Sequence, residues 1–297
     1  MRIPKIPRVK DIRSKLTAAR LLGGLVKNSL TFKIKRGALR RFRATDFEAV
    51  IVDMDGTLYE TDANLECLEM LYPETDRGGK SAGEDIYDSI ISKIASGEYS
   101  IERAIVEGNK FLIAKKMPRG KFHKVLDRVR PTIRPALISA LKAIKDSGRT
   151  LVLATLSSKD FGEMLNAHLK LKYGLEFDAV VGTELEFGQG GEITGLRAIV
   201  GTKDSEYKGI PVRTKLTAIK EELAGAGKGF DLKKSVLITD SYSDIDVANT
   251  LTTILIKPQN PTIAQKVSQR LRLADYILPD DEDLQTNLES IILGAEK

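Results

Sequence analysis

Residues 50–59 read VIVDMDGTLY. An apolar, β-branched run ends in two carboxylates one residue apart, followed by glycine and threonine. A carboxylate at the end of a buried strand is costly unless a cation or a hydrogen-bond donor compensates it. In extended backbone, side chains two apart share a face, so Asp53 and Asp55 can enter one cleft. The pair therefore points either to a bound cation or to acid–base chemistry.

Similar runs recur at 48–53 (EAVIVD), 150–155 (TLVLAT), 178–183 (DAVVGT), 235–240 (SVLITD) and 252–257 (TTILIK). Near-continuous apolar strands are what a parallel sheet buried on both faces requires. Helical patterns alternate with them at 135–148, 159–174, 214–227 and 243–251, several ending in the glycine that favours a helix stop. The expected fold class is α/β, a Rossmann-like, doubly wound parallel sheet. GQGGEITG (188–195) reads as a hairpin after the third strand. One interval breaks the rhythm. Nearly a hundred residues separate the first two strands, far more than one crossover needs. Its helix-like patterns, such as GEDIYDSIISKIASG, predict an inserted helical subdomain over 62–130, with RPTIRP (130–135) as the return linker. The core is then 46–61 and 131–297, and 1–45 is an N-terminal arm.

Ligands of open α/β sheets bind at the carboxyl ends of the strands. Asp53 and Asp55 lie there on strand one, and Thr155 on strand two. Asp240, followed by Ser241 and Asp244, lies there on strand four. Lys215 opens the helix before strand four. Converging carboxylates without histidine or thiolate suit a hard cation, Mg²⁺. Such an ion beside a lysine and a threonine hydroxyl suits a phosphoryl group. Ser157 competes with Thr155 as the phosphate donor. Lys203 and Lys208 compete with Lys215, and Asp244 also reads as a helix cap.

DMDGT, LATLSS, Lys215 and TDSYSD, in that order and spacing, resemble the four motifs of the haloacid dehalogenase-like superfamily. TELEFGQGGEITG and DSYSD are similar to its branch that includes phosphoserine phosphatase. The resemblance spans roughly residues 47–280. It implies the helical insert is the family's cap. It also implies Asp53 as nucleophile, Asp55 as general acid and base, and Thr155 and Lys215 as holders of phosphoryl oxygens. Mg²⁺ would sit on Asp53, Asp240 and the Asp55 carbonyl, with Asp244 joining or bracing the shell. Gly56 would leave room for the turn, and Thr57 would support the loop. The implied activity is Mg²⁺-dependent hydrolysis of a small phosphorylated metabolite through an aspartyl-phosphate. A phosphotransferase or phosphomutase of the same superfamily is the alternative. A non-catalytic scaffold acting through its basic arm is the alternative from another class. The sequence departs from phosphoserine phosphatase at Asp62, where that enzyme has a glutamate that reads the substrate amine.

The chain's 297 residues carry +6 overall, but residues 1–45 carry +13 and the remainder −7. If 11–31 is helical, Ile12, Leu16, Ala19, Val26 and Leu30 fall on one face, although Gly23-Gly24 weakens that helix. It reads as a packed helix, a tail, a targeting segment or a contact with polyanions. An anionic membrane surface is favoured over nucleic acid because the arm has an apolar face and few aromatics. With a single cysteine, Cys67, and no apolar run of membrane-spanning length, the expected location is cytoplasmic and peripheral at a membrane surface.

Overall fold

The computed structural model describes residues 47–76, 78–229, 231–240, 251–257 and 274–294. The basic arm, Asp244 and the 243–251 helix pattern up to residue 250 lie outside the described residues.

Strand β1 (Ala49–Asp53) is buried along its whole length. It pairs in parallel with β2 (Thr150–Ser158) on one side and β7 (Ser235–Thr239) on the other. Its alternation serves two layers. Val50 and Val52 face α5 (Pro135–Asp146), α6 (Lys159–Tyr173) and α8 (Leu284–Leu293). Ile51 faces α7 (Lys215–Gly225). Both faces are covered by helices, which is why the strand carries no alternating polar residues. Asp53 continues the Ile51 phase, toward the side where α7 begins with Lys215.

The remaining strands are β3 (Ala179–Phe187), β4 (Ile193–Gly201), β5 (Ser205–Tyr207), β6 (Ile210–Thr214), β8 (Thr252–Lys257) and β9 (Tyr276–Pro279). Together the described strands form one sheet in the order β5-β6-β4-β3-β2-β1-β7-β8-β9. The central strands are parallel, whereas β3–β4 and β5–β6 are antiparallel. The expected α/β class and the hairpin at 188–195 hold. The sheet is wider than the five expected strands, because β4, β5 and β6 extend one edge and β9 the other. β2 also runs three residues past its expected end. Its register with β3 shifts between Ala154 and Ser158, an irregularity that re-aims side chains at this rim.

Between β1 and α5 the insert is built on four helices among the described residues: α1 (Ala63–Leu71), α2 (Ala82–Ala95), α3 (Ile101–Ala114) and α4 (Phe122–Val129). Side-chain caps start the first three, from Asp62, Ser81 and Ser100. The insert is tied to the sheet at two places. The backbone of Ile193 donates to Met117 O at 2.9 Å, and that of Arg119 to Gly191 O at 2.8 Å. The buried Glu102 of α3 accepts from the Thr202 backbone (2.9 Å) and hydroxyl (2.7 Å) just beyond β4. RPTIRP, the expected return linker, leads from the last helix of the insert into α5. It forms a 3₁₀ turn (Arg130–Thr132), and Arg134 is buried before α5.

Candidate active site

The parallel register brings the carboxyl ends of β1, β2 and β7 level, with Asp53 opposite Ala154 and Val52 opposite Ile238. Asp53, Thr155 and Asp240 therefore converge without any long-range bend. Asp53 (6 % exposed) accepts a hydrogen bond from the Lys215 ammonium (2 % exposed) at 2.8 Å. Of the three candidate lysines, only Lys215 meets this carboxylate; Lys203 is exposed and Lys208 lies over the Tyr207 ring.

The turn after β1 is fixed by Thr57, which is fully buried. Its hydroxyl donates to Asp240 Oδ1 at 2.9 Å, lies 3.4 Å from Asp53 Oδ2, and accepts from the Asp240 backbone at 2.9 Å. One small hydroxyl thus spaces the two buried carboxylates. Gly56 adopts φ +72°, and a Cβ there would sit 2.5 Å from Asp240 Oδ2 and 2.8 Å from Asp240 Cγ. Gly56→Ala is therefore expected to cost about 1–2 kcal/mol in backbone strain alone and to displace Asp240. A lowered urea midpoint checks the first effect.

Asp55 is held by four donors. Oδ1 accepts from the Tyr59 hydroxyl at 2.5 Å and the Ala63 backbone at 2.8 Å. Oδ2 accepts from the hydroxyls of Thr155 (3.0 Å) and Ser157 (2.7 Å). The two hydroxyls that compete in sequence as phosphate donors thus meet at one carboxylate oxygen. Asn64 donates to the Ser157 hydroxyl at 2.7 Å, and the Ser157 backbone to Thr155 Oγ1 at 2.9 Å. Burial, with the Asp55 charge second, raises the Tyr59 phenol well above its ordinary range, so it stays a donor.

Asp62 caps α1 through the Asn64 and Leu65 backbones (2.7 and 3.3 Å) and accepts from the Tyr87 hydroxyl of α2 at 2.8 Å. Burial, then the neighbouring Asp55 charge, pushes its carboxyl up to about 7.

Several supporting residues carry no motif signal. Tyr59 and Asn64 lie close to DMDGT, but only the fold turns them back onto Asp55 and Ser157. Arg134 is a second case. From 5 % exposure it donates to the Gly56 and Thr57 carbonyls at 2.8 Å each, and its Nε to Asp280 at 2.6 Å. It locks the turn after β1 to the end of β9. Arg134→Met is expected to destabilise the fold by about 3 kcal/mol, because it strands a largely buried carboxylate and two carbonyls. Arg134→Lys should recover part of this, since lysine restores charge without the planar fork. Urea midpoints with unchanged m-values check both.

The carboxylates, Lys215, the two hydroxyls and Asp62 line one cavity of about 820 Å³. Among the described residues, no group of three or more His, Cys, Asp or Glu forms a metal cluster. Asp53 and Asp240 nevertheless offer two buried, hard oxygen donors beside the space that a Gly56 Cβ would fill, a donor chemistry that fits Mg²⁺.

A family model described as haloacid dehalogenase-like hydrolase matches residues 50–249, more than half of the chain. The chain belongs to the haloacid dehalogenase-like hydrolases. Solved structures with similar folds include a hydrolase of this family from Salmonella enterica subsp. enterica serovar Typhi. Its TM-score is 0.59 at 14 % identity, over 84 % of this chain and 73 % of that one. A phosphoserine phosphohydrolase-like protein from Francisella tularensis subsp. tularensis SCHU S4 has a TM-score of 0.57 at 13 % identity, over 82 % and 99 %. A phosphoserine phosphatase described as a phospho-aspartyl intermediate analogue has a TM-score of 0.53 at 18 % identity, over 82 % and 98 %. No curated protein matches the chain. Among the described residues, no helix of this hydrolase is long and apolar enough to cross a membrane.

Proposed function

We propose that this hydrolase is a Mg²⁺-dependent phosphatase that cleaves phosphomonoesters through an aspartyl-phosphate on Asp53. The observation that carries this reading is the unequal environment of two neighbouring carboxylates. Asp53 is buried and paired with Lys215, whereas Asp55 sits in a cradle of hydroxyl donors two residues on. One suits attack and the other proton transfer. The similar fold of a phosphoserine phosphatase described as a phospho-aspartyl intermediate analogue agrees with it.

In this reading an Asp53 oxygen attacks phosphorus and the bond from phosphorus to the ester oxygen breaks. Asp55 gives its proton to the departing alcohol. A water molecule then attacks phosphorus, its proton goes to Asp55, and the bond to Asp53 breaks, which releases phosphate and regenerates the site. Lys215 balances the phosphoryl charge. Thr155 and Ser157, which donate to Asp55 in the structure, are placed to turn toward phosphoryl oxygens, freeing Asp55 Oδ2 to carry the proton. Asp53, Asp240 and the Asp55 carbonyl would hold Mg²⁺, with Asp244 completing or bracing the shell. When bound, the ion would neutralise charge on the phosphoryl oxygens.

Phosphate release from nitrophenyl phosphate tests this. Turnover is expected with Mg²⁺, is lost on chelation and returns on adding Mg²⁺ back. Turnover indifferent to chelation would remove the metal from the account.

For residues 1–45 we propose attachment to an anionic membrane surface, on the strength of their +13 charge and of apolar residues at helical spacing in the sequence. Cosedimentation with anionic liposomes that survives removal of 1–45 would refute it.

A further inference from the structure

The cavity that holds the carboxylates continues between α2 and α3 of the insert, and there its chemistry changes. Its walls include Ile90 and Ile94 of α2, Ile101, Ile105 and Leu112 of α3, and Phe161 of α6. An amphipathic helix normally buries its apolar stripe against protein. In α2 the only fully buried residue is Gly83; Ile90 and Ile94 stay half-buried and Ile91 is 43 % exposed. The C-terminal half of this stripe, Ile90, Ile91 and Ile94, is thus turned on the cavity, while Ile86 and Tyr87 pack against the core. A Cβ built on Gly108, in the middle of α3 on the cavity wall, would meet only Ile90 Cδ1, at an ordinary contact distance of 3.7 Å, so a side chain can be added there without a clash.

No charged side chain of α2 or α3 lines this space. Their polar groups in it already have partners: the Tyr87 hydroxyl donates to Asp62, and the Asn109 amide to Ile105 O at 2.9 Å. The lining cations are Lys215 and Arg134. Lys215 is paired with Asp53, and Arg134 is taken up by Asp280 and two carbonyls. Asp62 could meet an ammonium, but a carboxylate on the leaving group would find no cation among the described lining residues. Burying it unpaired is strongly unfavourable.

Resting on the phosphatase reading, we infer that the leaving group is an uncharged hydrocarbon alcohol, so that the substrate is an amphiphilic phosphomonoester rather than a phosphorylated amino acid. The phosphoryl group sits at Asp53 and the hydrocarbon lies between the isoleucine stripes of α2 and α3. The reaction is a hydrolysis: ester and water give the alcohol and inorganic phosphate, with no redox partner. The size of the cavity is within the range of about 300–1,000 Å³ typical of small-molecule sites.

The test uses the full chain with Mg²⁺ and two series, monoalkyl phosphates from methyl to octyl and the matching non-hydrolysable alkylphosphonates. Released phosphate is measured for the first and affinity by calorimetry for the second. kcat/KM is expected to rise about threefold to fourfold per added methylene, the factor that follows from about 0.8 kcal/mol per buried CH₂. Octyl phosphate should exceed phosphoserine by at least about a hundredfold. Octylphosphonate should bind correspondingly tighter than methylphosphonate. Gly108→Phe should cut the octyl-to-methyl preference at least about tenfold by filling the cavity beside Ile90. Flat dependence on chain length, or a preference for phosphoserine, overturns the inference and leaves the phosphatase reading standing. Chain-length-dependent phosphonate binding without phosphate release from any ester overturns the phosphatase reading and upholds the apolar pocket.

Discussion

Asp53→Asn is expected to lower kcat on any phosphomonoester by about 10⁴-fold or more, the scale of losing a covalent nucleophile. That corresponds to about 5 kcal/mol of transition-state stabilisation. The amide keeps the shape of the carboxylate and an acceptor oxygen for Lys215, which donates to Asp53 at 2.8 Å. Circular dichroism should therefore remain close to wild type, while the unfolding midpoint should fall, because the amide leaves the buried Lys215 charge uncompensated. This separates loss of attack from loss of fold, because the pair is buried and truncation to alanine would confound the two. Phosphate release above about one per cent of wild type, in deamidation-free protein, would show that Asp53 does not attack.

Asp55→Asn is expected to reduce kcat by about 10²–10⁴-fold, the usual span for one general acid–base group. The loss should depend on the leaving group. An alkyl alkoxide needs a proton as its bond to phosphorus breaks, whereas nitrophenolate departs without one. Burst kinetics on nitrophenyl phosphate should then show a nearly intact first step and a slow second one, because water still lacks its base. On an alkyl phosphate both steps should slow. The asparagine amide also cannot accept the Thr155 and Ser157 hydroxyls through its nitrogen, so the unfolding midpoint is the needed control. Equal losses on the two esters would exclude Asp55 as the acid.

Much of this geometry was legible in the sequence for a simple reason. A parallel sheet aligns strand ends, so polar residues that terminate apolar runs must converge. Asp53, Thr155 and Asp240 follow from that rule. The sheet edges were less legible. β5 is three residues long and exposed, β6 (IPVRT) contains a proline, and β4 is buried at Ile193 and over its last four residues but half-open between. Such strands are held by pairing partners and show no clean period. The lysine was ambiguous among three positions until the alternation of β1 placed Asp53 on the α7 side. Arg134 carries no sequence signal of its role because its partners are two backbone carbonyls and an aspartate 146 residues away, which no local pattern encodes. The helix-like patterns of α2 and α3 predict helices but not which face meets what. Only the fold places Ile90, Ile94, Ile101 and Ile105 on a cavity wall, with Ile86 and Ile113 against the core.

The central claim is that phosphoryl transfer passes through Asp53. Reaction with nitrophenyl phosphate and Mg²⁺, quenched in acid within one turnover, reduced with borohydride and mapped by peptide mass spectrometry, tests it most directly. The account predicts substrate-dependent reduction confined to Asp53, absent in Asp53→Asn and increased in Asp55→Asn, where the second step is slow. Steady phosphate release with no reducible acyl-phosphate, or with one at another carboxylate, would contradict it.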